Sequence, residues 1–400
     1  MQRVVLIIFF LFTAMAGARA QYAPKMLLAD ENIQMESTEA VNAMYNFKFD
    51  IAEAKFLELK QRYPWHPMPY FLMALSAWWK IMPNTDIEKY DNTFIAYIDS
   101  SIAVAEKLYK DNDKNNYEAA FFLAAAHGFK GRLYGEARKK YSKAAMEGKE
   151  ALHYLSKFGD NNDLSPEFLF GKALFNYYEV WIKEEYPILR PLMAFFPNGD
   201  KQLGLKQLKE VSYNAFYTRT EAQYFLMRIY YLEEEDYHKA FPVARYLAST
   251  FPDNPYFHRM YAMLAFVTGQ RSEAEVSSLS ILEKLEKGYP GYEERAARYA
   301  TYFLGNIYRF TYKDNIKAKS YFQQMIIYSE KIGATDSYYY FSSLANLAQM
   351  ADQEKDVETA KKYYKTILKK AEKKDALYKE AKNYLDPPKQ KDKKKESAKK

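Results

Sequence analysis

The chain has 400 residues, a formal net charge of +7 and no cysteine. The missing thiols exclude disulfides, thiolate zinc sites, cysteine nucleophiles and cysteine-linked lipid anchors. With 48% apolar residues, 38 tyrosines, only 14 glycines and no valine-rich alternating runs, the composition predicts an all-α protein.

The positive charge is concentrated at the two ends of the chain. Arg3 and Arg19 stand near the start, and the segment from Asp386 carries seven lysines against three acidic residues. The part between them is close to neutral, so it offers no basic stripe of the kind that binds nucleic acid. We therefore expect no nucleic-acid partner.

The first twenty residues have the pattern of a signal peptide. Arg3 precedes an apolar run at 4–12, and Ala-Arg-Ala at 18–20 resembles a cleavage site. The alternative is an uncleaved anchor, but this stretch is shorter than the roughly 20 apolar residues of a spanning helix. We predict an exported protein, periplasmic or secreted from a bacterium, whose mature chain begins at Gln21.

Residues 21–385 are predicted to form paired antiparallel helices. The first pairs cover 30–48 with 49–63, 67–82 with 86–110, and 115–130 with 133–157. A helix opened by Pro166 follows, and then an irregular stretch at 187–200 with three prolines. Later helices are predicted at 201–214, 218–233, 237–250, 255–268, 271–287, 292–312, 315–331, 335–351, 354–371 and 374–385. The Lys-rich residues 386–400 are predicted to be disordered.

Several of these helices share one spacing of small and apolar residues. Ala240 is followed by Ala244, Leu247 and Pro252, which is typical of the second helix of a tetratricopeptide repeat, where small residues allow close helix contact. Related spacings begin at Ala52, Ala137, Ala274, Ala318 and Ala360. The pattern predicts an α-solenoid, a right-handed superhelix of about eight helix pairs closed by a capping helix.

The chain therefore resembles a tetratricopeptide-repeat protein over its whole body. More narrowly, residues 190–350 are similar to the mitochondrial outer-membrane tetratricopeptide family associated with clearance of inclusions. The residues that carry this similarity are GDKQLGLKQLKE at 199–210, the segment 251–275 and YFLGNIY at 302–308. The resemblance implies an all-helical, non-enzymatic adaptor; the export signal departs from that intracellular family.

Residue types that support catalysis occur without the spacing that catalysis needs. The histidines at 66, 127, 153, 238 and 258 lack metal-ligand spacing, and the glycines at 128, 131 and 135 do not form a phosphate loop. The acidic run 233–236 is interpreted as a helix N-terminus capped by Asp236. No catalytic, cofactor or metal site is predicted, and an enzyme with a carboxylate pair is kept as a remote alternative.

Two sets of residues are candidates for partner binding. The first helices of repeat pairs line the concave side of a solenoid, which points to Phe122 and Phe129 in one pair. In another pair it points to Tyr302, Asn306 and Arg309. Ordinary packing between repeats is the alternative interpretation of all five residues.

The second set lies in the irregular segment, where Leu192, Phe195 and Phe196 belong to an apolar run between prolines. We expect a plug packed across the stack, and an exposed contact is the alternative. The predicted function is an interaction scaffold for a protein or peptide partner. In the alternative, a peripheral membrane factor would insert residues 188–196 and use its lysine tail, at about 1 kcal/mol per lysine, on anionic lipid.

Overall fold

The computed structural model describes residues 26–111, 116–157, 166–194 and 196–387, and these residues form helices and turns without a β-strand. The predicted all-α class is confirmed. The first seven long helices in these ranges are α1 (Glu31–Tyr45), α2 (Phe49–Arg62), α3 (Pro67–Ile81), α4 (Asp91–Asp111), α5 (Tyr117–Arg132), α6 (Tyr141–Leu155) and α7 (Pro166–Glu185). They are followed by α8 (Lys201–Asn214), α9 (Arg219–Arg228), α10 (Tyr237–Thr250), α11 (Pro255–Val267), α12 (Arg271–Glu286), α13 (Glu294–Asn306), α14 (Asn315–Lys331), α15 (Tyr338–Gln353), α16 (Val357–Lys370) and α17 (Ala376–Leu385).

The helices pack in series, as in an α-solenoid. Each odd-numbered helix packs against the even-numbered helix that follows it, from α1 with α2 to α15 with α16, and α17 packs on the last pair. First helices of neighbouring pairs also touch, including α3 with α5, α11 with α13, and α13 with α15. The signal-peptide prediction (1–20) lies outside the described residues, as does nearly all of the predicted tail.

Six of the pairs are joined by the same backbone turn. In each turn one residue has a positive φ and the next residue is the N-cap of the second helix; the positive-φ residues are Phe47, Lys139, Glu235, Gly269, Lys313 and Lys355. A left-handed residue at this point ends the first helix and reverses the chain. The turn recurs at the same place in the first, the third and the fifth to eighth pairs, which gives the stack its regularity.

Three of the first helices contain one additional residue before this turn. They end in π turns at Leu133–Ala137, Ile229–Glu233 and Ile307–Tyr312. In the regular turn the N-cap N–H donates to the carbonyl five residues earlier, as from Lys48 to Ala43. After the π turns it donates to the carbonyl six residues earlier, as from Asp236 to Tyr230. A π turn absorbs a one-residue insertion without displacing the following helix.

The alanine spacing predicts most of the close contacts between helices. The alanines at 52, 240, 274, 318 and 360 are fully buried. Ala137 departs from the prediction, because it lies in a π turn and is only partly buried, and Tyr141 beside it is 69% exposed. The residue types from Ala137 onward match the repeat spacing, but the second helix of this pair begins only at Tyr141, so Ala137 is not part of it.

The segment before α8 is shaped by a close approach to α7. A side chain on Gly204 would lie 2.7 Å from the backbone nitrogen of Tyr177, and one on Gly199 would lie 2.5 Å from the carbonyl oxygen of Asn176. Both positions therefore need glycine to let the two backbones meet. Asp200 caps α8 by accepting a hydrogen bond from the backbone of Leu203. These residues belong to the motif at 199–210, so its glycines serve packing.

The chain curls so that its N-terminal helices pack against its middle. The ring of Trp79 on α3 lies 4.9 Å from that of Phe257 on α11, measured between centroids. The Tyr45 hydroxyl and the Trp79 indole donate to the carboxylate of Glu221 on α9 at 3.0 and 3.1 Å. The Asn254 side chain donates to the Tyr45 carbonyl at 2.8 Å. Side chains thus fill the inside of the curl where the sequence predicts an open concave groove.

Candidate binding surface

The predicted contact residues Phe122 and Phe129 on α5 lie inside the protein. Their exposed fractions are 2% and 7%. Phe122 packs edge-on against Phe71, and Phe129 against Trp78, with ring centroids 5.7 Å apart in both pairs. Both rings join α5 to α3, and packing leaves them no surface to offer a partner.

The second predicted group, Tyr302, Asn306 and Arg309, is also used inside the stack. Tyr302 and Arg309 are 6% and 8% exposed. The Arg309 guanidinium donates to the Asn346 carbonyl and the Gln349 side chain, both at 3.0 Å, and burial lowers the pKa of Arg309. Asn306 is partly buried and donates to the carbonyl of Tyr302. This group therefore ties α13 and its π turn to α15.

The predicted apolar segment is divided between the interior and the surface. Met193 is 2% exposed and Phe196 is partly buried, whereas Ile188 is 87% exposed. Met193 is therefore buried, as expected for a plug, whereas Ile188 lies on the surface, against that expectation. Phe195 and the side chain of Leu192 lie outside the described residues.

A first arginine cluster lies between α5 and α9, and its charges are paired. The Arg132 guanidinium carbon lies 4.8 Å from the Trp78 ring centroid, and its Nη2 donates to the Tyr224 hydroxyl at 2.6 Å. Glu136 accepts from Arg132 at 3.2 Å and from Arg228 at 2.7 Å. Although burial raises it, the charges of Arg132 and Arg228 bring the pKa of Glu136 down to about 2. We call Arg132, Arg228, Glu136 and Tyr224 the paired cluster.

A second cluster lies where α11 and α13 face the end of α3. The guanidinium carbons of Arg259 and Arg298 lie 6.0 and 4.7 Å from the centroid of the same ring, that of Tyr299. Arg259 also lies 5.4 Å from the Tyr256 ring and donates to the Pro83 carbonyl at 2.9 Å. We call Arg259, Arg298, Tyr256 and Tyr299 the unpaired cluster, because neither arginine has a carboxylate partner among the described residues.

The sequence carried a signal for the unpaired cluster that the repeat alignment does not use. Tyr256 and Arg259 are three residues apart, and Arg295 stands three residues before Arg298 and four before Tyr299. Residues at these spacings share one face of a helix. An Arg and Tyr face repeated on two successive first helices marks a surface, but only the fold brings the two faces together.

The buried carboxylates of the described chain hold loops and helices in place. Glu167 is 1% exposed and accepts hydrogen bonds from the backbone nitrogens of residues 216–218 at 2.7 to 3.1 Å. Glu118 accepts from the backbone of Leu28 at 2.7 Å, and Glu179 from that of Gly199 at 2.9 Å. Each carboxylate satisfies donors that would otherwise be buried without a partner.

Asp236 of the acidic run and the buried His258 also serve the packing of the fold. Asp236 caps α10 by accepting from the Lys239 backbone at 3.0 Å, as predicted. His258 is buried with its Nδ1 2.9 Å from the Tyr292 hydroxyl, and burial, reinforced by the charge of Lys284, lowers its pKa to about 4. Among the described residues, no three His, Asp or Glu side chains come together as metal ligands.

No protein-family model matches the sequence, and no curated protein is similar enough to count as a relative. Of the helices described, none combines the length and apolar character needed to cross a membrane. Because its arginines have no carboxylate partner among the described residues, the unpaired cluster is the strongest candidate for a binding surface.

Proposed function

We propose that this chain is an exported tetratricopeptide-repeat protein that acts as a non-enzymatic scaffold for a protein or peptide partner. The main support is the left-handed turn that recurs at the same place in six helix pairs. Repeated pairs present one helix each to a continuous surface, and repeat proteins bind extended partners on such surfaces. A right-handed superhelix is part of this proposal.

The partner surface is assigned to the first helices of the later pairs. The N-terminal first helices are occupied by the chain itself, through contacts such as Trp79 with Phe257. On α11, α13 and α15, by contrast, Tyr256, Tyr299 and Tyr339 keep part of their surface exposed. Partly exposed tyrosines and arginines are the residue types enriched where protein partners bind tightly.

The non-enzymatic character rests on how the buried acids are used. Glu118, Glu167 and Glu179 accept hydrogen bonds from backbone N–H groups, and Glu221 accepts from Tyr45 and Trp79. General acid–base catalysis needs a carboxyl group within reach of a substrate proton. These four carboxylates instead serve the packing of the fold.

The test is capture of partners from the envelope fraction of the source organism, followed by titration of each purified partner. We expect saturable binding that weakens at least tenfold in a Tyr299→Ala variant, since truncating an aromatic anchor removes about 2 kcal/mol. The matched control is Tyr246→Ala, because Tyr246 is 45% exposed on the second helix α10. If no envelope protein binds saturably, or if the partner is turned over as a substrate, the proposal fails.

A peripheral membrane factor is the second candidate, favoured by the exposure of Ile188 beside Tyr186, which is 48% exposed. Here residues 188–196 insert into lipid and the lysines beyond Asp386 bind anionic headgroups. Co-sedimentation with anionic vesicles tests it, with and without the last fourteen residues. An Ile188→Asp variant should lose vesicle binding, whereas Ile316→Asp should retain it, since Ile316 is equally exposed, at 86%, on α14. Equal retention by both variants contradicts the membrane function.

A further inference from the structure

The unpaired cluster concentrates positive charge that the chain does not neutralise. Arg259 and Arg298 approach one ring, and Arg295 lies close enough for its charge to act on Arg259. Only Arg295 has a carboxylate partner among the described residues, in Asp86 of the loop between α3 and α4. Two of the three arginines therefore lack a counter-ion.

Burial makes this missing counter-ion significant. Arg298 is 7% exposed, its Nη2 donates to the Tyr299 hydroxyl at 3.2 Å, and its buried Nε has no hydrogen-bond partner. An unpaired buried charge lowers the free energy of unfolding unless hydrogen bonds and opposite charge compensate it. Buried donors without a partner also occur in the paired cluster, at Arg132 Nη1 and Arg228 Nε, so it is the missing carboxylate, rather than the free donor, that leaves capacity for an anion here.

The cluster is elongated and is partly open to solvent, at Arg259 and the tyrosines rather than at the buried Arg298. Arg259, Tyr299 and Tyr339 are only partly buried, so a ligand can reach them. The Tyr339 ring lies 5.0 Å from that of Tyr299 and 4.9 Å from that of Tyr302, between centroids. The tyrosines thus extend the site from α11 across α13 to α15, which is longer than a single small ion requires.

We propose that the surface formed by Arg259, Tyr256, Tyr299 and Tyr339 binds an acidic peptide segment of a partner protein, with the Arg259 guanidinium pairing one of its carboxylates and the charge of the buried Arg298 adding to the attraction. This inference rests on the proposed scaffold function and names the chemistry of the partner. Arginine's planar fork matches a carboxylate in two hydrogen bonds, and the tyrosines border the peptide with flat, amphipathic surface.

The loop between α3 and α4 supports a carboxylate as the ligand. Asp86 reaches the cluster and pairs with Arg295 through a side chain that is 72% exposed. The chain thus already places one carboxylate at the edge of this surface. The loop and α3 lie opposite the cluster, as the bond from Arg259 to the Pro83 carbonyl shows, so a flat lipid surface fits the site less well than a peptide.

Fluorescence anisotropy with the full chain tests the proposal. The probe is a labelled six-residue peptide with glutamate at alternate positions, and the comparison peptide carries glutamine there. We expect the glutamate peptide to bind and the glutamine peptide to bind at least tenfold more weakly. Inorganic phosphate should compete only at far higher concentration, because it pairs with Arg259 without the peptide's contacts with the tyrosines.

Substitutions locate the binding. Arg259→Met and Arg298→Met should each weaken it about tenfold, and Asp86→Asn should tighten it about threefold by freeing Arg295. Arg245→Met is the matched control, since Arg245 is an exposed arginine paired with Glu273 on the other side of the stack. The lysine-rich tail is identical in all variants, so differences between them report on the site. Thermal unfolding of each variant verifies that it is folded.

The inference is overturned if both arginine variants bind the glutamate peptide like the control, if the glutamine peptide binds equally well, or if phosphate competes as strongly as the peptide. Its failure is distinguishable from failure of the scaffold function. If only this inference fails, a captured envelope protein still binds saturably, and Arg259→Met and Arg298→Met leave its affinity unchanged. If the scaffold function fails, no captured protein binds at all, whatever the glutamate peptide does.

Discussion

The paired and the unpaired cluster are both built from arginines and aromatic residues on first helices, α5 with α9 in one and α11 with α13 in the other. Arg132 lies against the rings of Trp78 and Tyr224, and Arg259 and Arg298 lie against the ring of Tyr299. Around Arg132 and Arg228, the carboxylate of Glu136 accepts hydrogen bonds from both guanidinium groups. Around Arg259 and Arg298, a backbone carbonyl and a tyrosine hydroxyl are the acceptors, and no carboxylate takes part among the residues described.

This difference separates a structural role from the binding role that we propose. A buried arginine that pairs with a carboxylate and lies against aromatic rings has its charge balanced inside the protein, so it contributes to stability. A buried arginine without a carboxylate lowers stability until an external anion supplies the charge. First helices of one α-solenoid can therefore either stabilise the fold or offer a binding surface with almost the same residue types. The position of the acidic side chains determines which of the two roles an arginine has.

The largest effect should come from removing an arginine of the paired cluster. Arg132→Met deletes the hydrogen bond to Tyr224 and the contacts with the Trp78 and Phe225 rings. We expect the free energy of unfolding to fall by about 3 kcal/mol, the lower end for breaking a buried pair, because Glu136 is partly exposed. Urea unfolding followed by circular dichroism measures it.

The control for this substitution is Arg245→Met, which removes an exposed ion pair with Glu273. Exposed pairs contribute about 1 kcal/mol or less, so this variant should unfold close to wild type. Equal losses in both variants would mean that the Arg132 cage contributes no more than a surface pair, and the contrast between the clusters would not hold.

The opposite sign is expected in the unpaired cluster. Arg298→Met replaces a buried cation with an apolar side chain of similar length, and Arg298 has no carboxylate to leave behind. We expect the free energy of unfolding to rise by about 1 kcal/mol, as found when buried charges are replaced by apolar groups. Thermal unfolding without added anions measures it, and a marked loss of stability would show that Arg298 is needed for folding.

The helices and their pairing could be predicted from the sequence because their determinants are local. Small residues such as Ala240 sit at fixed spacing, and caps such as Asp236 stand next to the helix they begin. Where the local pattern matched by composition alone, as at Ala137, the prediction failed. The π turns were not predicted, since one inserted residue leaves the apolar periodicity of a helix almost unchanged.

The proposed binding surface could not be predicted because it depends on contacts between distant residues. Tyr45 and Glu221 are separated by 176 positions, and Arg295 and Asp86 by 209. Phe122 and Phe129 are buried against the rings of Phe71 and Trp78, although a repeat alignment places both on an open face. Folding also leaves Arg259 and Arg298 near one another without an acid among the described residues, a fact that no window of sequence contains.

The smallest effect is a pH dependence that only the paired cluster should show. The folded-state pKa of Glu136 is about 2, below its ordinary value near 4.5. Its stabilising contribution is therefore complete above about pH 4.5 and is lost as the pH falls toward 2. The side chain is 37% exposed, so screening limits the contribution to about 1 kcal/mol. Urea unfolding at pH 6, 4 and 3 measures this pH dependence: the difference in unfolding free energy between wild type and Glu136→Gln should shrink toward zero as the pH falls. Arginine stays protonated throughout this range, so the gain from Arg298→Met should not shrink. If the Glu136→Gln difference were constant from pH 6 to pH 3, that carboxylate would act through packing rather than charge, and charge pairing would no longer distinguish the two clusters.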